Sequence, residues 1–308
     1  MDILVTGGTV FASRYTAEFF ASSGHNVFVL NRGTRPQPPN VTLIKGDRHC
    51  SGELLRNRHF DAVIDVTAYN SDDVNGLLDS LGSFDRYVLI SSSAVYPETL
   101  PQPFKEEQVC GANSIWGAYG TNKIAAEKAL LSRVPDAYIL RPPYLYGPMN
   151  NLWREAFVFE CADNDRPFYV PKDGSMPLQF LHIGDMCRFI AKILEIMPPE
   201  HIFNVGNSST ISIIQWVKAC YSVTGRTPEF RFVSGNVPQR SYFPFYDYSY
   251  ILDVTKMCRY MYCFTPIKEG LESSYEWYRN NRELIIRKPL AEFIANELEG
   301  SADVKFQN

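Results

Sequence analysis

Tyr119 and Lys123 stand four residues apart in a run, Tyr119 to Leu130, that is rich in helix formers and contains no proline. At that spacing the two side chains share one helical face. A phenol, with an ordinary pKa of about 10, is a poor base at neutral pH. A cation one turn away favours the phenolate and brings it within reach of a proton on a substrate hydroxyl. The chemistry open to the pair is therefore acid–base work on an alcohol. A surface helix carrying a Tyr and a Lys by chance would read the same, so the pair gains meaning only from the elements that position it.

Those elements begin at the N-terminus. Ile3-Leu4-Val5 is a short apolar strand, Thr6-Gly7-Gly8-Thr9-Val10-Phe11 a glycine turn, and Phe11, Tyr15 and Phe19 recur at helical spacing. Strand, glycine turn and helix N-terminus together point backbone N–H groups at a phosphate. A second strand, 27–30, stops at Asn31-Arg32-Gly33, where a dinucleotide fold reads the adenosine ribose. An acidic residue there favours NAD. Here Asn31 and Arg32, with Arg14 and Arg35 nearby, tilt the choice towards NADP because arginine suits a 2′-phosphate, although NAD stays open. Arg35 itself reads as a solvated loop charge.

Further strands are expected at 41–44, 61–66, 87–90 and 138–140, with helices near 53–58 and 72–81 between them. Strands alternating with helices predict parallel βαβ units in an open, doubly wound α/β sheet, whose ligands bind at the carboxyl ends of the strands. The glycine turn, Asp47, the Asp65–Tyr69 segment with Thr67, and the run Ser91-Ser92-Ser93 all fall at such ends. Beyond Arg141 the alternation weakens. Residues 141–148 are too proline-rich for a regular element, and helices are expected over 152–162, 183–197, 211–224, 270–282 and 290–298. Stretches 176–182 and 203–205 read as strands. The aromatic segment Tyr242–Tyr246 reads as core of a smaller domain rather than as a stacking surface, and His182 as an interior histidine.

Composition bounds the alternatives. The chain has 308 residues, 45% hydrophobic and 21% charged, with a formal net charge of −4 and no basic block, which disfavours a nucleic-acid partner. No apolar run approaches the ~20 residues of a membrane span, and Met1-Asp2-Ile3 lacks the basic flank of a signal peptide, so a cytoplasmic protein is expected. Seven scattered cysteines fit reduced thiols. Cys258 and Cys263 have no partners at ligand spacing, so no metal is expected.

Taken in order, Thr6-Gly7-Gly8-Thr9, Ser91–Ser93, Tyr119-x-x-x-Lys123, Arg141-Pro142, Phe180–Asp185 and Phe203-Asn204-Val205-Gly206 resemble the extended short-chain dehydrogenase/reductases, in particular the NAD-dependent epimerase/dehydratase branch. The resemblance runs to about Tyr278. It implies a Rossmann-type NAD(P)-binding domain over 1–165 and a smaller α+β substrate region over 166–308, of which 178–205 returns to the sheet, with the active site between them. It also implies a homodimer through the Tyr119 helix and its neighbour at 72–81. Tyr119 would be the general acid/base, Lys123 would bind the nicotinamide ribose, and Ser92, with Ser93 the runner-up, would hydrogen-bond the substrate oxygen. Gly7, Gly8, Thr9, Val10, Phe11, Asn31, Arg32, Asp47 and Thr67 would contact the cofactor, with Asp47 accepting from the adenine amine. Ser93, Tyr144 and Arg240 are the candidate substrate contacts. The implied activity is epimerisation of a sugar or nucleotide sugar through a keto intermediate. The alternatives are an NADP-dependent reductase of a small carbonyl compound and a non-catalytic member that binds NAD(P) or RNA.

Three departures from the family pattern bear on the activity. Val10 and Ser13 replace the second and third glycines of the usual turn. Ser93 and Ala94 stand where sugar-nucleotide dehydratases carry an Asp-Glu pair for elimination, so dehydration by that route is not expected. Leu178 stands where related epimerases carry a diphosphate-clamping Arg, and the Asn those enzymes have near Tyr144 is missing. Arg240, Lys172 or Arg154 would have to replace the clamp.

Overall fold

The computed structural model describes residues 1–300 and 304–306. The chain divides into two compact units, one of residues 1–145, 180–208 and 250–264, the other of residues 146–179, 209–249 and 265–308.

The first unit is built on a seven-stranded sheet. Its strands are β1 (Asp2–Thr6), β2 (Asn26–Asn31), β3 (Val41–Lys45), β4 (His59–Asp65), β5 (Ser83–Ile90), β6 (Tyr138–Arg141) and the strand Ile202–Asn204. They lie in the order Ile202–Asn204, β6, β5, β4, β1, β2, β3, and every pairing is parallel. Near-continuous apolar runs such as Ile3-Leu4-Val5 and Ala62-Val63-Ile64, all fully buried, suit a sheet covered on both faces. The covering helices include α1 (Phe11–Ser22), α2 (Gly52–Leu55), α3 (Ser71–Ser80) and α4 (Ala118–Arg133). α3 opens on a capping box in which Asn70 Oδ1 accepts from Asp73 N while the Asp73 carboxylate accepts from Asn70 N. Strand order reverses between β1 and β4, and a crevice for ligands opens at the carboxyl ends of the strands beside such a reversal. The α/β expectation is borne out.

The differences are local. β5 starts four residues earlier than expected because Ser83–Arg86 pair with β4, and with Ser83 and Asp85 exposed and Phe84 the one apolar residue the stretch gives too little apolar signal to mark a strand. Tyr144–Tyr146 is a strand despite the prolines before it, because Pro142 and Pro143 precede the pairing residues and take no ladder position.

The second unit contains a small sheet in which Phe168–Pro171 and Phe230–Val233 run parallel and Val304–Phe306 joins antiparallel. The helices Glu155–Asp163, Ile213–Val223 and Ile267–Asn280 belong to it. Residues 211–224 are not all helical: Ile211–Ser212 pairs with Pro177–Leu178, and Ser212 then caps the helix through a capping box with Gln215. Tyr242, Phe243 and Phe245 are core, Phe245 meeting Trp216 at 4.9 Å between ring centroids.

Candidate active site

The glycine turn takes the backbone where side chains cannot follow. Gly7 and Gly8 have φ of +85° and +82°. A Cβ on Gly7 would sit 2.8 Å from Thr67 Cγ2, and one on Gly8 would sit 2.5 Å from Val29 Cγ1. The missing third glycine is accommodated: Ser13 is buried and its hydroxyl donates to Val10 O at 3.0 Å, so it bonds back into its own turn. Val10 is the residue before α1, and Phe11 opens the helix at φ +35°.

Above this turn lies a groove of about 310 Å³, lined by Thr6, Gly7, Thr9, Leu30, Asn31, Arg32, Thr34, Arg35, residues 46–49 and Thr67. It gathers six of the residues singled out for a dinucleotide, Gly7, Thr9, Asn31, Arg32, Asp47 and Thr67; Gly8, Val10 and Phe11 are not in its lining. Arg35, read from the sequence as a solvated loop charge, is exposed and also lines the groove. Asn31 is tied to the turn, its Nδ2 donating to Gly7 O at 2.6 Å and to Gln37 Oε1 at 2.9 Å. The Asp47 carboxylate accepts from His49 N at 3.0 Å. A cradle that any Cβ would fill, beside arginines at the end of β2, fits the phosphates and ribose of a nicotinamide dinucleotide.

The groove has a charged foundation. Asp65 is completely buried and accepts from Thr6 Oγ1 at 2.7 Å, Tyr87 OH at 2.6 Å and Arg48 Nη2 at 2.6 Å. Burial alone would raise its pKa. The Arg48 guanidinium and these hydrogen bonds overcome that and hold the carboxyl below its usual range. Arg48 also donates to Thr67 Oγ1 at 3.3 Å and to Asp73 O at 2.9 Å, tying the floor of the groove to α3.

At the carboxyl ends of β4 and β5, Lys123 is buried, and its Nζ donates to Ala68 O at 2.7 Å and Ile90 O at 2.8 Å. It also lies 5.0 Å from the centroid of the Tyr69 ring. Burial pulls its pKa down to about 8, against the opposing pull of Asp65 and Glu127. Tyr119, in the first turn of α4, is 39% exposed. Its neighbour Gly120 is buried, and a Cβ there would clash with the carbonyl oxygen of Ala94, so only glycine lets α4 settle onto the turn after β5. In that turn Ser92 Oγ accepts from Ala94 N at 3.2 Å and caps a short 3₁₀ segment, Ser93–Val95, with Ser93 buried. Ser92, Tyr119 and Lys123 thus lie on elements that come together at the carboxyl end of one sheet.

A second buried network lies behind them. Arg141 at the end of β6 holds Glu127 of α4 with two hydrogen bonds, and Ser91 donates to the same carboxylate. Arg141 Nη1 donates to Tyr96 OH at 2.8 Å, and Tyr96 donates to Asn204 Oδ1 at 2.7 Å. Trp116 stands 6.2 Å, centroid to centroid, from both Tyr119 and Tyr144. His182 is buried, accepts from Gly184 N through Nδ1, and is held neutral by burial. Arg240 belongs to the second unit, where it donates to Phe243 O and Pro244 O and lies 4.7 Å over the Tyr246 ring.

Sequence reasoning passed over Arg48, Asn113, Gly120 and Glu127. Glu127 carried a usable signal, since 119, 123 and 127 share a helical face. Arg48 carried none, because its side-chain partners are 17 or more residues away in sequence, and Asn113 carried none for the bonds of its Nδ2, which reach back 17 and 19 residues.

A parallel sheet of this order, with a glycine turn at the strand reversal and a Ser, Tyr and Lys at the strand ends, defines a dinucleotide-binding α/β protein. The chain belongs to the NAD-dependent epimerase/dehydratase family, whose profile matches residues 3–206. The expected membership and nicotinamide-dependent enzyme class of the extended short-chain dehydrogenase/reductase type are borne out. A chloroplast stem-loop binding protein of 41 kDa from Arabidopsis thaliana is 27% identical over 300 residues, covering 89% of this chain and 78% of the relative. Among solved structures, dTDP-glucose 4,6-dehydratase from Bacillus anthracis in complex with NAD superposes with a TM-score of 0.72 at 21% identity, over 94% of this chain and 99% of that one. UDP-glucose 4-epimerase with UDP-glucose from Thermotoga maritima gives 0.73 at 18% identity, over 92% and 100%. Among the described residues no helix is long and apolar enough to cross a membrane.

Proposed function

We propose that this chain is an NAD(P)-dependent epimerase of a sugar or nucleotide sugar. The observation that carries the reading is the buried Lys123, held by Ala68 O and Ile90 O one helical turn beyond Tyr119 and beside the Ser92 turn. Gly7, Thr9, Asn31, Arg32, Asp47 and Thr67 would hold the dinucleotide, and the nicotinamide, when bound, supplies the site that takes a hydride and gives it back. Tyr119 takes the hydroxyl proton of the substrate and later returns it. The Lys123 ammonium stabilises the phenolate. Ser92 donates a hydrogen bond to the substrate oxygen as it becomes a carbonyl and accepts one when it is an alcohol again. Ser93 and Ala94 offer no carboxylate for removing water, which supports inversion over dehydration.

Arg32 and Arg35 at the groove favour NADP over NAD within this reading. The test is to incubate the protein with UDP-glucose or UDP-galactose and a trace of NAD or NADP and to follow the configuration at C4. Inversion without net change in reduced cofactor supports the epimerase. Net cofactor consumption with no inversion replaces it with the reductase. The stem-loop binding relative favours a second, non-catalytic reading, against which the net charge of −4 weighs. Saturable retardation of an RNA stem-loop at physiological salt, without turnover of any UDP-sugar, would establish it.

A further inference from the structure

Asn113 lies six residues before Tyr119, outside the motifs that mark the family resemblance. Its side chain is buried, and its Nδ2 donates to Ala94 O at 2.7 Å and Tyr96 O at 3.2 Å. Its Oδ1 accepts from Trp116 N at 2.6 Å, and its own backbone carbonyl accepts from Gly117 N, at the residue that precedes α4, at 3.1 Å. A carboxamide offers two donor hydrogens and an acceptor in one plane, and this one uses both kinds of group. One edge grips the backbone of the serine turn, and the other grips the chain entering the Tyr119 helix. Beside it Gly120 brings α4 against the same Ala94 carbonyl, and a Cβ on Gly120 would lie 3.2 Å from Asn113 Nδ2. Tyr119 lies between these two points of attachment.

We infer that Asn113 is a positioning residue: its carboxamide clamps Ala94 and Tyr96, in the turn that follows Ser92, to the segment that leads into α4 and thereby fixes the Tyr119 phenol relative to the Ser92 hydroxyl. This role rests on the proton-transfer duties proposed above for those two side chains. Proton transfer tolerates little misplacement, and an error of about 1 Å costs on the order of 100-fold in rate. Neither Asn113 nor its partners line the dinucleotide groove, so its loss should leave cofactor binding alone.

The informative variant is Asn113→Asp. It keeps size and the acceptor towards Trp116 N but turns a carboxylate oxygen towards two carbonyls. The expected result is a kcat for UDP-glucose/UDP-galactose interconversion lowered roughly 100-fold, with KM for UDP-glucose and Kd for NAD+ within about two-fold of wild type. A folded Asn113→Asp protein whose kcat stays within about three-fold, or whose kcat and NAD+ affinity fall together, overturns the inference. If the variant does not fold, the wild type decides. The Asn113 carboxamide protons, resolved by 15N NMR, should exchange at least about 100-fold slower than a free amide, and free exchange removes the clamp. Absence of turnover in the wild type, or full turnover in Tyr119→Phe, sinks the proposed function instead, and the exchange measurement then decides the clamp alone.

Discussion

Glu127 lies one helical turn beyond Lys123 and holds the Arg141 guanidinium at 3.0 and 2.6 Å through its two oxygens, so the face that carries Tyr119 and Lys123 is anchored in the sheet by a bidentate ion pair. Both partners are almost fully buried, their side chains 6% and 4% exposed. Breaking one side of such a pair leaves an uncompensated buried charge and costs about 3–5 kcal/mol. Glu127→Gln and Arg141→Gln should each lower the thermal midpoint by several degrees, while replacement of both by apolar residues of similar volume should recover much of the loss. Calorimetry on the three variants checks this, and equal midpoints for the single variants and wild type would contradict it.

Tyr119→Phe removes the proton carrier while keeping the ring against Trp116. Epimerisation should fall roughly 10²- to 10⁴-fold, the usual worth of a general acid–base group. Affinity for NAD+ should hold, because Tyr119 does not line the groove. Steady-state rates and a binding isotherm on the same preparation settle both halves.

Lys123 gives a pH signature with a definite sign. Its pKa falls from 10.5 in the unfolded chain to about 8 in the fold. Between those values the unfolded chain binds the extra proton, so stability rises with pH across the window and is flat below about 8. Against Lys123→Met, which does not titrate, wild type should gain about 3 kcal/mol between pH 8 and pH 10.5, from 1.36 kcal/mol per unit. Urea unfolding of both proteins across that range measures it, and a parallel pair of curves would refute the burial of the ammonium.

Much of this arrangement was legible beforehand because parallel strands buried on both faces spell themselves as apolar runs. β1, β2, β4 and β6 fall within two residues of where Ile3-Leu4-Val5, 27–30, 61–66 and 138–140 put them. The Tyr119/Lys123 pair was legible because helical periodicity is local. What stayed hidden depends on partners distant in sequence or on bonds to main-chain atoms, which no residue type marks. The polar start of β5 pairs by backbone, Asn113 bonds only to main-chain atoms, and the short strands Phe168–Pro171 and Phe230–Val233 exist because they pair with each other across some sixty residues. Arg35 looked like a loop charge because nothing in its own neighbourhood says that the loop borders a groove.

Gly120→Ala tests the close approach of α4. Alanine favours the helix by up to about 1 kcal/mol, but the new methyl would meet the Ala94 carbonyl oxygen. Overpacking of this kind costs about 1–3 kcal/mol. Net destabilisation is expected, together with a loss of kcat larger than the loss of cofactor affinity, measured by melting and by initial rates.

Removing the guanidinium groups at the end of β2 should separate the two dinucleotides. The double change Arg32→Ala and Arg35→Ala is expected to weaken NADP+ binding about ten-fold or more, since charge-assisted hydrogen bonds to phosphate are worth about 1.5–3 kcal/mol, and to leave NAD+ nearly untouched. Isothermal titration with each dinucleotide reads the difference, and equal losses for both would show that the arginines serve no 2′-phosphate.

The first unit is assembled from three separate stretches of chain, and one border of its sheet, Ile202–Asn204, comes from the second stretch. During synthesis β6 must therefore wait with an open hydrogen-bonding margin until more than sixty further residues have left the ribosome. A gene fragment ending near residue 145 would carry that margin permanently, and its product should precipitate by edge-to-edge association rather than survive as a free-standing nucleotide-binding module.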